Sequence, residues 1–329
     1  MRIILSGFGA VGQSLVGLLS SRAEDLYTEY ALKPRIVGVF DSGGGAADPA
    51  GLDPAAITAA KRDAGTVSAG LPGGVEMIRS VDADVLVEAT ASNYADAEPG
   101  ISHITTAMGR GMHVVSVNKG PLALAFPSLT EIAAYNNVAL RFSGTVGGGT
   151  PILDYAKNSL RGERITSFAG ILNGTTNYIL SGMASGLSAG DALADARKRG
   201  YVEADESLDL DGIDAAAKLV ILANWVMGMK VTLPDVGREG IRGVTGDDVA
   251  GAASRGRAVK LVASCKDGLK VGPEEVPLED PLCVNGTLNA ISFTSEHSGT
   301  QTIIGRGAGG TETASSILRD LLDVRQVMS

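Results

Sequence analysis

Aromatic residues are scarce in this chain: seven tyrosines, six phenylalanines and one tryptophan make 4% of 329 residues. The interior must therefore be filled mostly by aliphatic side chains, and 44 glycines allow backbones to approach closely. Cysteine is scarcer still. Cys265 and Cys283 form neither a metal-ligand spacing nor a disulfide framework, so a reducing cytoplasm is the expected home. There are three histidines: His103, His113 and His297. No apolar run reaches the roughly 18 residues of a membrane span. Lys and Arg number 28 against 37 Asp and Glu, a formal charge of −9. No basic cluster breaks that balance, which speaks against a nucleic-acid face. The chain opens on a strand pattern, so no secretory leader is expected. What is left is a chain that is 44% hydrophobic and long enough for two domains.

Arg2–Leu5 is a short apolar strand pattern that runs into Gly7-Phe8-Gly9-Ala10-Val11-Gly12, and Gln13–Leu19 then reads as a helix. Strand, G-x-G-x-x-G and helix form the context of a dinucleotide site. Its glycines allow a tight turn, close approach to a pyrophosphate and close helix–strand packing. The helix N-terminus adds unpaired N–H groups and positive dipole. A second strand, Arg35–Phe40, ends at Asp41. An acid there is placed to accept hydrogen bonds from the adenosine ribose and to repel a 2′-phosphate, which favours NAD over NADP. Lys61 and Arg62 in the following segment are cations that could still meet a phosphate, and Asp41 could instead cap the loop Ser42–Gly45.

The alternation continues. Strands are expected at Ala83–Glu88, Met112–Ser116 and Val138–Phe142, and helices at Gly100–Gly111 and Pro121–Asn136. Such alternation predicts a parallel, doubly wound α/β sheet with ligands at the carboxyl ends of its strands. Gly7–Gly12, Asp41, Thr90 and Lys119 all fall at those ends. Ser42–Gly74, rich in Gly, Ala and Pro, reads as the most mobile segment, with no clear secondary structure over Ser42–Pro54.

Composition then shifts at the glycine-dense hinge Ser143–Pro151. Beyond it a strand at Ile165–Leu172, the turn Asn173–Tyr178 and two helices, Thr175–Gly186 and Ala189–Gly200, lead to GYVEADESLDLDGIDAAAKL at residues 200–219. Glu203, Asp205, Glu206, Asp209 and Asp211 crowd this loop. Asp214 and Lys218 are spaced i, i+4 on the helix Ile213–Met227, so acid and ammonium share a face. Read alone, the run is as much a solvated acidic loop as a ligand site. Val259–Cys265, Leu269–Val276, Leu288–Thr294 and Gln301–Ile304 read as antiparallel strands. The glycine cluster Gly305–Gly310, with Gly307 inside it, leads into a last helix, Thr311–Leu322.

GFGAVG, the strand-end Asn118-Lys119, GTVGGGTPIL, GILNGTTNYIL, the acidic segment and the closing GRGAGGTETASSILRDLL are together similar to homoserine dehydrogenases, in order and spacing, over essentially the whole length. The resemblance implies a Rossmann-type domain over residues 1–142 and 305–329. It also implies a mixed α/β domain for catalysis and dimerisation over 143–304, in a short form without a regulatory domain. It implies NAD(P)-dependent interconversion of L-homoserine and L-aspartate 4-semialdehyde by a cytoplasmic homodimer, in the threonine and methionine branch of amino-acid biosynthesis. Lys218 would move the proton, Lys119 would assist and Asp214 would orient Lys218. Glu203 and Asp209 would hold the substrate ammonium, and Gly174, Thr175 and Tyr201 would line the substrate. Gly7, Gly9, Ala10, Val11, Gly12, Asp41, Thr90, Lys119 and Gly307 would hold the cofactor. Relatives with a sodium site often carry an acid where Ser143 stands; a cation here would rest on the backbone of Ser143, Val146 and Gly148. The acidic loop also departs from the family, with Ala204 and Glu206 where proline is frequent. Two alternatives stay open. Another NAD(P)-dependent oxidoreductase, such as an aspartate semialdehyde dehydrogenase, would need a reactive cysteine. A catalytically inactive cofactor sensor would not need the lysines.

Overall fold

The structure is a computed structural model that describes residues 1–68, 70–202 and 205–328. The chain divides into two compact units, Met1–Gly149 with Gly309–Ser329, and Thr150–Ala308. These boundaries, after Gly149 and Ala308, lie a few residues beyond the positions 143 and 305 that the resemblance implies. The hinge glycines belong with the first unit, where Gly144 and Gly149 pack on Thr313, Ser316 and Glu312.

In the first unit the elements run β1 (Arg2–Ser6), α1 (Ala10–Ser21), α2 (Ala23–Tyr30), β2 (Arg35–Asp41), β3 (Gly44–Ala47), α3 (Pro54–Ala64) and α4 (Gly74–Ser80). They continue with β4 (Val85–Glu88), α5 (Gly100–Gly109), β5 (His113–Ser116), α6 (Lys119–Tyr135) and β6 (Leu140–Arg141). Strand order is β3-β2-β1-β4-β5-β6, parallel throughout except for β3, which runs antiparallel to β2 at the edge. The expected parallel sheet is present. The expectation of an irregular Ser42–Pro54 is corrected, because β3 forms there by pairing with β2. Farther along Ser42–Gly74, Asp53 caps α3, Pro54 takes its first turn and Gly65 closes it in the left-handed conformation. Helix α6 kinks at Ala125, two residues before Pro127, where proline disfavours regular helix.

The core of this unit sets Ile3, Leu5, Val85, Val87 and Val115 of the sheet against Leu15 and Leu19 of α1. The last helix of the chain also enters it through Ile317, Leu321 and Val324. Burying each such aliphatic side chain contributes roughly 1.5–3 kcal/mol.

The second unit begins with α7 (Ile152–Asp154) and continues β7 (Ile165–Ile171), α8 (Gly174–Ala184), α9 (Ala189–Lys198), α10 (Ser207–Leu210) and α11 (Ile213–Met227). Then come β8 (Gly237–Arg238), α12 (Gly246–Ser254), β9 (Arg257–Cys265), β10 (Leu269–Pro277), β11 (Leu288–Ser295) and β12 (Gly299–Arg306), before α13 (Gly310–Val327) rejoins the first unit. The sheet order is β12-β11-β7-β9-β10-β8, antiparallel except for the short β10–β8 pair. Helix α11 is buried at every position from Ala215 to Asn224, Lys218 included. An ammonium in such a helix needs partners, because burying it unpaired is costly.

Candidate active site

The glycine loop of the first unit divides its work by position. Gly7 has φ +90°, and a Cβ there would lie 2.5 Å from the Ala89 carbonyl oxygen. A Cβ on Gly12 would press on the Gly7 carbonyl oxygen, so α1 packs against the loop only because this residue is glycine. A Cβ on Gly9 would meet nothing within 4 Å. The middle glycine thus faces open space at the start of α1, where the amides of Ala10, Val11 and Gly12 begin the helix. That is the cradle a pyrophosphate requires, and the loop fits the group.

Asp41 sits at the end of β2, but its carboxylate is not left to a ribose. Thr66 Oγ1 donates to Oδ1 at 2.7 Å and the Gly43 amide at 2.9 Å, while Lys61 Nζ lies 2.7 Å from Oδ2. Burial pushes this carboxyl up, yet the bonds from Lys61, Thr66 and Gly43 outweigh it and hold the group below the usual range. The loop-capping role is real, and Lys61 offsets the charge that was to repel a 2′-phosphate. Arg62 turns to Asp63 instead.

Thr90 follows β4, and Lys119 opens α6 behind its cap, Asn118. The Lys119 amide donates to Ser92 Oγ at 3.0 Å.

In the second unit Lys218 Nζ donates to Asp214 Oδ2 at 2.7 Å and to the Leu172 carbonyl at 2.6 Å. Two of its three N–H groups are thereby directed, which leaves a third. The side chain is 8% exposed and that of Asp214 15%. Asn173 draws the acids together: its Nδ2 donates to Asp209 Oδ1 at 2.6 Å and to Asp214 Oδ2 at 3.0 Å. Its Oδ1 accepts the Thr176 amide at 2.9 Å and so caps α8. Burial raises the Asp209 carboxyl above its usual range, and the nearby Asp214 charge adds to this against the opposing Asn173 bond. Gly174 lies tight against Thr287, and Thr175 Oγ1 donates to the Tyr201 carbonyl at 2.7 Å. Tyr201 stacks edge-on to Tyr178.

The acidic loop is of two kinds. Asp209 and Asp214 turn inward. Glu206 pairs with Arg197 and Arg242, Asp211 pairs with Arg242, and Asp205 accepts the Ser207 amide. Glu203 lies outside the described residues. Gly307 follows β12, and a Cβ there would overlap the Asn289 side-chain amide. The sequence reading missed Asn173 and Asn289 as site residues. Asn289 Nδ2 donates at 2.9 Å to the same Leu172 carbonyl that holds Lys218. Among the described residues, Asn289 Oδ1 is the buried side-chain polar atom with no partner. The helix-capping pattern at Asn173 was the one available signal.

The thiols are poor nucleophiles. Burial pushes both Cys265 and Cys283 up, away from the thiolate form. At the hinge, the Ser143 amide and hydroxyl both donate to Asp320, at 2.8 and 2.6 Å, and Ser316 Oγ donates to the Gly148 carbonyl. Val146 is fully buried beside them. Among the described residues no cluster of His, Cys, Asp or Glu could hold a metal ion.

The family profile for the homoserine dehydrogenase NAD-binding domain matches residues 7–143, and that for homoserine dehydrogenase matches 151–322. A homoserine dehydrogenase of Methanocaldococcus jannaschii is 42% identical over 331 residues, with 98% of each chain covered. An NAD(+)-dependent homoserine dehydrogenase of Pseudomonas canavaninivorans is 39% identical, over 99% of this chain and 96% of that one. A hyperthermophilic archaeal homoserine dehydrogenase solved in complex with NADPH superposes with a TM-score of 0.86 at 28% identity, over 98% and 97% of the two chains. By profile, identity and fold, the chain belongs to the homoserine dehydrogenase family.

Proposed function

We propose that this protein interconverts L-homoserine and L-aspartate 4-semialdehyde with a nicotinamide dinucleotide, as a step of amino-acid biosynthesis. The observation that carries the reading is a buried ammonium, Lys218, aimed by Asp214 and the Leu172 carbonyl. The bound cofactor supplies or accepts the hydride at nicotinamide C4. The protein must manage the proton on the substrate oxygen. Lys218 gives its third N–H to the oxygen in reduction and recovers it in oxidation. Asp214 keeps the ammonium oriented, and Asn173 keeps Asp214 oriented. Asp209 and Glu203 receive the substrate ammonium, while Gly174, Thr175 and Tyr201 shape the substrate side. Lys119 assists, a role that rests on the family resemblance.

For the cofactor, Gly7, Gly9, Ala10, Val11 and Gly12 take the pyrophosphate, and Thr90 and Gly307 complete the cofactor contacts. NAD(H) is favoured over NADP(H), narrowly, because Lys61 tempers the charge of Asp41. No cation at the hinge is part of this reading. Two copies form the working enzyme through the second unit, where Leu288 and Ile304, 37% and 49% exposed, lie on the two strands at one edge of the sheet. A mass of two chains in light scattering is the expected result; a mass of one would remove the dimer from the proposal. Among the described residues no helix is long and apolar enough to cross a membrane.

The direct experiment incubates the protein with L-homoserine and NAD or NADP and follows the reduced nicotinamide. Turnover that survives iodoacetamide is expected. Turnover of the semialdehyde that requires phosphate and is lost on alkylation would instead support the thiol-based alternative.

A further inference from the structure

Beneath the carboxyl edge of the first sheet lies a polar cluster that the proposed chemistry does not use. Glu88, the last residue of β4, is 0% exposed, and His103 on α5 is 4% exposed. His103 Nδ1 lies 2.9 Å from Glu88 Oε2 and 3.1 Å from Ser6 Oγ on β1. Glu88 Oε1 accepts the Thr90 amide at 3.0 Å, the Thr90 hydroxyl and, at 3.5 Å, Asn118 Nδ2. The same Asn118 Nδ2 reaches Thr90 Oγ1 at 3.0 Å and the Ala91 carbonyl at 3.3 Å. Asn118 Oδ1 accepts the Gly120 amide at 3.0 Å and so caps α6. The chain of bonds therefore runs from His103 through Glu88, Thr90 and Asn118 to the helix turn that carries Lys119.

A buried carboxyl is an expensive way to fill space. The other residues of β4, Val85, Leu86 and Val87, fill theirs with aliphatic side chains. A buried ionisable pair is weak evidence of stability and better evidence of a fixed arrangement. Three donors converge on one oxygen of Glu88, and all three belong to the segments that bear Thr90 and Lys119. The second oxygen is held by His103, which prevents the carboxyl from rotating away. Phe40 packs edge-on to the His103 ring at 5.2 Å and fixes it in turn.

We infer that Glu88, locked by His103, is a positioning residue for the cofactor edge. It sets the Thr90 hydroxyl and, through Asn118, the direction in which Lys119 leaves α6. It touches neither substrate nor cofactor. The inference deepens the proposed function and rests on its assignment of Thr90 to the cofactor.

The test is a double-mutant cycle of Glu88→Gln and Thr90→Val, both near-isosteric, read by NADH binding in a fluorescence titration and by kcat. In Glu88→Gln the new amide keeps an acceptor toward Thr90 and turns its NH₂ to the other tautomer of His103. What is lost is charge-assisted bonding, about twice as strong as neutral, so Glu88→Gln should raise the NADH dissociation constant about tenfold and lower kcat, with a smaller change in homoserine KM. In the Thr90→Val background the same change should cost less NADH affinity than in the wild type, since the Thr90 hydroxyl contact is already gone and only the Thr90 amide and Asn118 contacts remain to be weakened. Normal NADH affinity in folded Glu88→Gln, or losses that multiply in the double variant, would overturn the inference. Should Glu88→Gln fail to fold, His103→Gln, which releases only Oε2, takes its place in the cycle under the same criteria. NADH binding is measured without substrate, so an inactive wild type would sink the proposed function and leave this cycle readable.

Discussion

Asp209 and Asp214 sit on different helices and share one donor, the Nδ2 of Asn173, at 2.6 and 3.0 Å. Without a substrate ammonium, two carboxyls thus face one amide. Burial, with the Asp214 charge added, holds the Asp209 carboxyl above its ordinary value of 3.8. The folded state then binds a proton more readily than the unfolded state. Stability falls as pH rises from the ordinary value through the raised one, and is flat beyond it. Asp209→Asn removes that dependence. Its melting temperature should gain on the wild type between acid and neutral pH, while homoserine KM rises by about tenfold or more through loss of a charge-assisted contact. Melts across that range and saturation curves check both halves. A variant that loses ground to the wild type at neutral pH would show that Asp209 is not strained.

Lys218→Ala should lower kcat by roughly two orders of magnitude or more, the usual scale of a lost proton donor. NADH affinity should hardly change, because Lys218 is assigned to the substrate oxygen and is not among the residues assigned to the cofactor. Lys218→Arg should not restore turnover, since a planar guanidinium gives up its proton poorly and matches neither the Asp214 nor the Leu172 geometry. Turnover near wild type in either variant removes Lys218 from the proton path.

The Asp41–Lys61 pair predicts opposite shifts in cofactor choice. Asp41→Ala frees an ammonium that was 2.7 Å from Oδ2 and should raise kcat/KM with NADP(H) relative to NAD(H). Lys61→Ala bares the carboxylate and should lower NADP(H) use further. Each shift should be about tenfold, the scale of one charge-assisted contact. The ratio of kcat/KM values for the two cofactors is the measurement. If both variants move it the same way, the pair does not govern the choice.

Acid should also loosen this corner. Asp41 is held below its usual range, so the stability it contributes is present above the ordinary value of 3.8 and is lost as pH falls through the lowered one. Asp41→Asn should therefore melt below the wild type at neutral pH and converge with it in acid.

Much of this was legible because periodicity and glycine spacing are local. The strand–GFGAVG–helix start, the parallel alternation and the i, i+4 pair on α11 each follow from residues a few positions apart. Helix α3 was not read, although Asp53, Pro54 and Gly65 carry its cap signals, because the Gly- and Ala-rich composition around it concealed them. Strand β3 was not legible, since Gly44-Gly45-Ala46-Ala47 has little strand preference and forms only against β2. The split of the acidic loop was equally hidden. Whether an acid turns inward depends on Asn173, 36 residues before Asp209, or on Arg242, 31 residues after Asp211. Charge density alone does not distinguish them.

The glycine loop separates fold from cofactor binding within three residues. A methyl group on Gly12 would collide with the Gly7 carbonyl oxygen, a backbone atom that cannot step aside. Gly12→Ala should therefore lose about 1–3 kcal/mol of stability, the usual range for overpacking, along with its cofactor affinity. A methyl group on Gly9 meets no protein atom within 4 Å, and the backbone there has φ −81°, which any residue adopts. Gly9→Ala should melt like the wild type. Its methyl group nevertheless enters the space in which the pyrophosphate must approach the helix N-terminus. NADH affinity should fall about tenfold or more, a cost of roughly 1.4 kcal/mol per decade. Thermal melts and NADH titrations of the two variants, side by side, make the comparison. If Gly9→Ala binds NADH as tightly as the wild type, the open face of this loop is not where the phosphates lie.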